Sequence, residues 1–205
     1  CQQRLPDNMG IPADQIQVLS PTRKGVCGTV NLNRALQAAL NPPAAGKRQK
    51  LWGDMVFREG DRVMQTRNNY DVVWEKDDGA MGAGIFNGDV GVIQEIDPSG
   101  ELITIQFDDR TCVYTADLLN QLDMAYAMTV HKAQGSEYRC VVLVSAAVAP
   151  ALMVRGVLYT AITRARELLV LVGDDVAPGQ MAANDRQQRR YSGLRRRLKE
   201  GYHEQ

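Results

Sequence analysis

Two short segments of this 205-residue chain crowd together most of the side chains that could do chemistry. The first is Thr129-Val130-His131-Lys132-Ala133-Gln134-Gly135-Ser136-Glu137, where hydroxyls, an imidazole, an ammonium and a carboxylate precede an apolar run. Gly135 lets the backbone turn sharply there. The second is Leu158-Tyr159-Thr160-Ala161-Ile162-Thr163-Arg164-Ala165-Arg166, which leads directly into Glu167-Leu168-Leu169-Val170-Leu171-Val172-Gly173. Each has an ordinary explanation when taken alone. The first reads as a helix ending in a glycine cap, with Lys132 solvated and His131 bonded locally, and Arg164 reads as a surface cation. A phosphate cradle of the form GxxxxGK[ST] and a carboxylate placed for magnesium are not recognisable. The nearest glycine-rich stretch, Gly79-Ala80-Met81-Gly82-Ala83-Gly84, lacks the Lys-Ser/Thr ending and reads as a flexible hairpin.

The elements that must hold these segments follow from periodicity. Ile16 to Leu19 is a short apolar run read as a buried strand, ended by Ser20-Pro21 and followed by the loop Thr22-Arg23-Lys24-Gly25. Leu32, Ala35, Leu36, Ala39 and Leu40 fall on one face of a predicted helix that Asn41-Pro42-Pro43 stops and that Thr29 or Asn31 would cap. From about Gly60 to about Leu122 the period shortens to two. There Leu102, Thr104 and Gln106 alternate with Ile103, Ile105 and Phe107, and Asp97-Pro98-Ser99-Gly100 and Asp108-Asp109 supply turns. Cys140 to Val144 and Leu168 to Val172 are continuous apolar runs of the kind found in parallel strands covered on both faces. Between them Leu158, Ala161, Ile162 and Ala165 form a helical stripe that shares its helix with Arg164. The assembly is an α/β domain built from both ends of the chain and interrupted by an inserted β-module.

Composition narrows the class. Hydrophobic residues make up 44% and charged residues 23%, as in ordinary globular proteins, and the formal net charge of +0 argues against a wholly basic nucleic-acid binder. Arginines nevertheless gather between Arg186 and Lys199. The cysteines Cys1, Cys27, Cys112 and Cys140 form no CxxC pair, so neither a zinc site nor a disulfide frame is expected. No apolar run approaches the roughly 20 residues of a membrane span, and the N-terminus lacks a signal-peptide layout, so the expected setting is cytoplasmic. A first residue other than Met is consistent with a fragment of a longer protein.

Taken together and in order, with one strand between them, THKAQGSE and YTAITRAR resemble motifs V and VI of superfamily 1 helicases of the RecD-like branch, the exodeoxyribonuclease V alpha subunit family. Val18-Leu19-Ser20-Pro21-Thr22-Arg23-Lys24-Gly25 is similar to motif IV, and Gly60-Asp61-Arg62-Val63-Met64-Gln65 and Phe86-Asn87-Gly88-Asp89 look like the flanks of an SH3-like insert. The resemblance implies a RecA-like parallel sheet with flanking helices, formed by 1–62 and 122–205, interrupted by a small SH3-like β-barrel at 63–121. It implies the C-terminal motor half of an ATP-dependent 5′ to 3′ DNA helicase of recombination or repair. Arg164 would be the arginine finger on the γ-phosphate, and Arg23 a second phosphate-facing arginine. Gln134, Gly135, Ser136 and Glu137 would face the nucleotide, while Thr129, His131 and Lys132 would face single-stranded DNA. In the insert, Arg62, Arg67, Tyr70 or Trp74 would touch the strand, with Tyr70 foremost. The arginines from Arg189 to Arg197 resemble those of the closing helix of these motors. ATP and Mg2+ are the implied cofactors, with the Mg2+ ligands and the phosphate loop in a first RecA-like domain that is the implied partner, so this chain alone would be inactive. Subunits of a nuclease-helicase complex are a further implied partner, and no membrane is. Two alternatives stay open: a non-catalytic module that binds DNA or a partner, and the helicase part of a conjugative relaxase, for which His131 and His203 provide no histidine cluster.

Overall fold

A computed structural model describes residues 1 and 3–186. The arginine-rich tail beyond 186, with His203, lies outside the described residues.

After a short helix α1 (Arg4–Met9), strand β1 (Ile16–Ser20) is buried along its whole length and leads through the 21–28 loop into α2 (Thr29–Leu40). A run of antiparallel strands follows: β2 (Gln49–Trp52), β3 (Met55–Arg58), β4 (Arg62–Gln65), β5 (Asn69–Lys76), β6 (Met81–Ile85), β7 (Val90–Ile96), β8 (Leu102–Phe107), β9 (Arg110–Thr115) and β10 (Leu122–Met124). The chain then returns through β11 (Ala127–Thr129), β12 (Tyr138–Val144), α3 (Arg155–Ile162), β13 (Ala165–Val172) and α4 (Ala177–Ala183). Two sheets result. One is parallel, in the order β11-β1-β12-β13, and the other is antiparallel, in the order β10-β4-β7-β8-β9-β5-β6, with β2 and β3 pairing separately as a hairpin.

The alternation read in β8 is what the structure shows. Ile103, Ile105 and Phe107 are fully buried with Ile93, Ile96 and Tyr114, while Leu102 on the other face is exposed. Side chains two apart share a face, so this pattern fixes the register of the strand. The parallel sheet has apolar cover on both sides. Leu19, Val141 and Leu143 pack toward α3 and α4, and Ile16, Val18 and Val142 pack toward Ile11, Leu32 and Leu36.

Several local expectations are corrected. Gly28, and neither Thr29 nor Asn31, stands at the start of α2, and no side chain caps it. A Cβ at Gly28 would lie 2.5 Å from the Arg23 and Lys24 carbonyls, so the loop can close only on glycine. Ala35 and Ala39 face outward, and Asn33 and Gln37 take inward positions beside Leu32, Leu36 and Leu40. The glycine stretch at 79–84, by contrast, forms the expected hairpin, with Gly79 in its turn and Met81 to Ile85 in β6, paired antiparallel with β5. β13 is an edge strand with Leu171 and Val172 half exposed, so the apolar run there is not covered on both faces. The predicted stripe also ends early: α3 stops at Ile162, Arg164 lies in the turn after it, and Ala165 already opens β13.

The two sheets meet over buried polar side chains. Asp61 is fully buried, and its carboxylate accepts four hydrogen bonds: from Gln37 Nε2 (2.6 Å), Asn41 Nδ2 (2.7 Å), the Arg58 amide (2.7 Å) and the Tyr126 hydroxyl (2.8 Å). Burial holds the Tyr126 hydroxyl well above the usual phenol range, which keeps it a donor. Arg62 donates to the Ile16 carbonyl (3.2 Å) and to Gln17 Oε1 (3.3 Å), and burial pulls its guanidinium below the usual arginine range. Gln17, also fully buried, donates to the carbonyls of Ala125 and Tyr126. Both chain crossings between the sheets are thereby tied to β1 and α2.

Candidate functional site

The 129–137 segment is built as a ramp beside the parallel sheet. Thr129 is in register with Ser20 at the carboxyl end of β1, whereas Tyr138 is in register with Ala165 at the amino end of β13. The segment therefore runs the height of the strands, roughly 13 Å for the five residues of β1 at ~3.3 Å per residue. Buried Val130 and Ala133 anchor it, and a series of turn hydrogen bonds shapes it: Ala133 N to Thr129 O (3.2 Å), Gln134 N to His131 O (3.3 Å) and Ser136 N to Ala133 O (3.2 Å). His131, Gln134, Gly135 and Glu137 are left facing outward. Gly135 has φ +90° with open space beside it, so the backbone angle, not crowding, calls for glycine.

At the amino end of the strands the two sequence segments touch. Arg164 donates to the Ser136 carbonyl (2.9 Å), to the Thr160 carbonyl (3.2 Å) and to Thr163 Oγ1 (3.1 Å). All three acceptors are neutral, and among the described residues no carboxylate pairs with this guanidinium. Its neighbour Arg166 is paired with Glu137 at 3.0 Å, in an exposed contact of the kind that contributes little to stability. Gln134, Gly135, Ser136, Glu137 and Arg164 thus form one group.

A second group gathers at the carboxyl end. Lys132 reaches Asp123 at 3.0 Å, and Arg23 reaches the other oxygen of the same carboxylate at 3.6 Å. The Lys132 amide donates to Thr129 Oγ1 (3.4 Å). Arg23 thus stands with Thr129 and Lys132, at the opposite end of the strands from Arg164. These three residues border a cavity of about 290 Å³ between α2, the β2–β3 hairpin and the start of the ramp. Sequence reasoning overlooked both Asp123 and this cavity. Asp123 left a faint signal as the one polar position between apolar Leu122 and Met124, but the cavity left none, since its walls come from distant parts of the chain.

The insert candidates separate clearly. Tyr70 is 67% exposed and stacks edge-on against Phe86, ring centroids 5.7 Å apart. Trp74 is instead half buried, lies against Gly82 and packs on the barrel core. Arg62 is consumed at the junction of the two sheets and is not a surface cation, while Arg67 is exposed and bonded to Asn120. No group of three or more His, Cys, Asp or Glu side chains converges among the described residues, and none of the helices there is long and apolar enough to cross a membrane.

Comparison with known proteins gives this geometry a setting. The family model of the ATP-dependent RecD-like DNA helicase SH3 domain matches residues 32–107, and that of the UvrD-like helicase C-terminal domain matches residues 124–172. The ATP-dependent RecD2 DNA helicase of Deinococcus radiodurans is 36% identical over 88% of this chain and 23% of its own length. The RecBCD enzyme subunit RecD of Mycolicibacterium smegmatis is 31% identical over 91% of this chain and 30% of its own. The chain therefore spans about a quarter to a third of these relatives. Among solved structures, the Pif1 helicase from Bacteroides in complex with ADP-AlF3 and ssDNA aligns over 98% of this chain and 47% of its own, with a TM-score of 0.52 and 15% identity. Pif1 from Candida albicans aligns over 98% and 51%, with a TM-score of 0.51 and 15% identity. Those two likenesses concern the fold: a RecA-like parallel sheet carrying a small SH3-like β-domain.

Proposed function

We propose that this chain, which belongs to the RecD-like helicase family, completes the ATP site of a 5′ to 3′ DNA motor and carries part of its single-strand track. In this reading, residues 1–62 and 122–205 are the second motor domain and 63–121 the insert. The first RecA-like domain of the same protein would bring the phosphate loop and the Mg2+ ligands, a reading supported by the family resemblance.

One observation carries the reading: a guanidinium with only neutral partners sits on the Ser136 carbonyl, at one end of a ramp whose other end borders the cavity. A cation without a counter-charge is ready for a phosphate, and a planar fork can follow charge as it develops on the γ-phosphoryl oxygens. Arg164 is the arginine finger in this scheme, and Gln134, Gly135, Ser136 and Glu137 form the nucleotide edge. Thr129, His131 and Lys132 hold the DNA backbone. Arg23, which shares Asp123 with Lys132, joins that group. Movement of the nucleotide edge is passed along the ramp to the strand, as in other switches where a rigid element links two ligands.

The test is DNA-stimulated ATP hydrolysis by this chain and by the full-length parent, with and without Arg164→Ala, ATP binding being followed separately. A silent chain, together with a mutant parent that binds ATP but has lost hydrolysis by roughly 10³-fold or more, is the expected result. Normal turnover in the mutant parent would remove Arg164 from the chemistry. Arg23→Ala is expected to weaken single-strand affinity more than hydrolysis at saturating DNA.

A further inference from the structure

We propose that the cavity beside Thr129 and Lys132 is a slot for one nucleobase of a single strand, lined so as to accept any base. The proposal rests on the single-strand reading above and adds to it the place where a base, not only the backbone, is held.

Size sets the first limit. At about 290 Å³ the cavity is at the lower end of the roughly 300–1,000 Å³ of small-molecule sites, enough for one planar ring and too little for several nucleotides. Its lining sets the second. Met55, Met64, Met124 and Met128 all contribute to the walls, which is half of the eight methionines in the chain. Thioethers are polarisable and flexible, make favourable contacts with aromatic rings, and recur at surfaces that bind many partners. A motor that steps along arbitrary sequence needs a base contact of that kind, because hydrogen-bond readout would make it pause at preferred bases. The rim sets the third. Arg23, Arg34 and Lys132 line the cavity with Asp54 and Asp123, three cations to two carboxylates, and Asp123 holds two of these cations in place. A base on the methionine floor would leave its phosphates at that cationic rim.

The slot is also shared between the two sheets. Met55 and Met64 come from β3 and β4, and Met124 and Met128 from β10 and β11. Gln37, another wall residue, donates to the Val56 carbonyl (2.8 Å) and to the buried Asp61 carboxylate. A seated base would touch the insert and the motor sheet at once.

The chain labelled with 13C at the methionine methyls should be titrated with an oligothymidylate and with an abasic oligonucleotide of equal length. Ring-current shifts at Met55, Met64, Met124 and Met128, absent at Met9, Met81, Met153 and Met181 and absent with the abasic strand, are expected. Met55→Ala should weaken oligothymidylate binding about tenfold, the scale of one lost stacking contact, and change abasic binding far less. If both oligonucleotides bind equally and the four methyls do not move, the slot is overturned while single-strand binding stands. If neither binds, the single-strand reading itself falls, and the slot with it.

Discussion

Polar side chains in this molecule occupy two opposite settings. At the junction between the sheets, Asp61, Gln17 and Arg62 are buried or nearly so, and their partners are close and specific. Along the ramp and at the start of β13 beside it, Lys132, Glu137 and Arg166 are partly or largely exposed and held by ion pairs, while Arg164 has no charged partner among the described residues. Burying a polar group is costly unless its hydrogen bonds are replaced, and the four donors around Asp61 meet that cost, although the buried Nε of neighbouring Arg58 has no partner. A site that must later receive a ligand needs the reverse, with capacity left over. The contrast is sharpest between Asp61, whose carboxylate accepts four hydrogen bonds, and Glu137, held by one exposed ion pair.

Asp61→Ala is the most severe way to test that contrast. It would leave the Gln37 and Asn41 amides, the Arg58 N–H and the Tyr126 hydroxyl without their acceptor, and a loss of about 3 kcal/mol of stability is expected in urea denaturation. A loss below about 1 kcal/mol would show that the junction does not depend on this carboxylate. Arg62→Leu keeps volume but abandons the Ile16 carbonyl and the Gln17 side chain, and about 2 kcal/mol is expected from the same measurement. Because Arg62 and Asp61 are adjacent and both interact with Tyr126, the two losses should not simply add, and a double-mutant cycle measures their coupling.

Beside the ramp, Arg166→Ala should change stability by less than about 0.5 kcal/mol, since its pair with Glu137 is exposed. The same substitution should lower DNA-stimulated hydrolysis in the full-length parent, because Glu137 loses the partner that orients it. A destabilisation above 1 kcal/mol would place this pair with the junction and blur the distinction.

What could be read from the sequence follows the same division. Elements defined by neighbours along the chain were legible: the buried run of β1, the alternation of β8, the apolar run of β12, and the order of the two reactive segments. Features defined by neighbours across the fold were not. Arg62 stands in a stretch that looks like any strand entry, and nothing local says that Ile16 and Gln17 will absorb it. Ala35 and Ala39 are apolar and helical but turn outward, because Asn33 and Gln37 are needed inside to bond the Ala127 amide and the Asp61 carboxylate. Arg164 was placed on a helix because the apolar stripe runs on to Ala165, yet the chain leaves the helix after Ile162 to begin a parallel strand. The four cavity methionines are separated by up to 73 positions and share no local pattern.

Full burial and multiple bonding coincide at Asp61, so a less buried carboxylate that is also multiply bonded is needed to separate them. Asp97, in the turn between β7 and β8, is only partly buried yet accepts hydrogen bonds from the Ser99 hydroxyl and from the Ser99 and Leu102 amides. The Ser99 hydroxyl foremost, and then the Leu102 amide, hold its carboxyl down to about 2, against an ordinary value of 3.8. A carboxyl lowered in the folded state stabilises the fold fully above its unfolded value and loses that contribution as the pH falls. The turn should therefore be tightest above about pH 4 and loosen progressively as the pH drops toward 2. Carboxyl 13C shifts of Asp97 followed by NMR should titrate near 2, and amide exchange at Leu102 should quicken over the same interval. Asp97→Asn should abolish that pH dependence. A midpoint near 3.8 would mean that saturation counts only where water is excluded, and burial alone would then explain the contrast between junction and ramp.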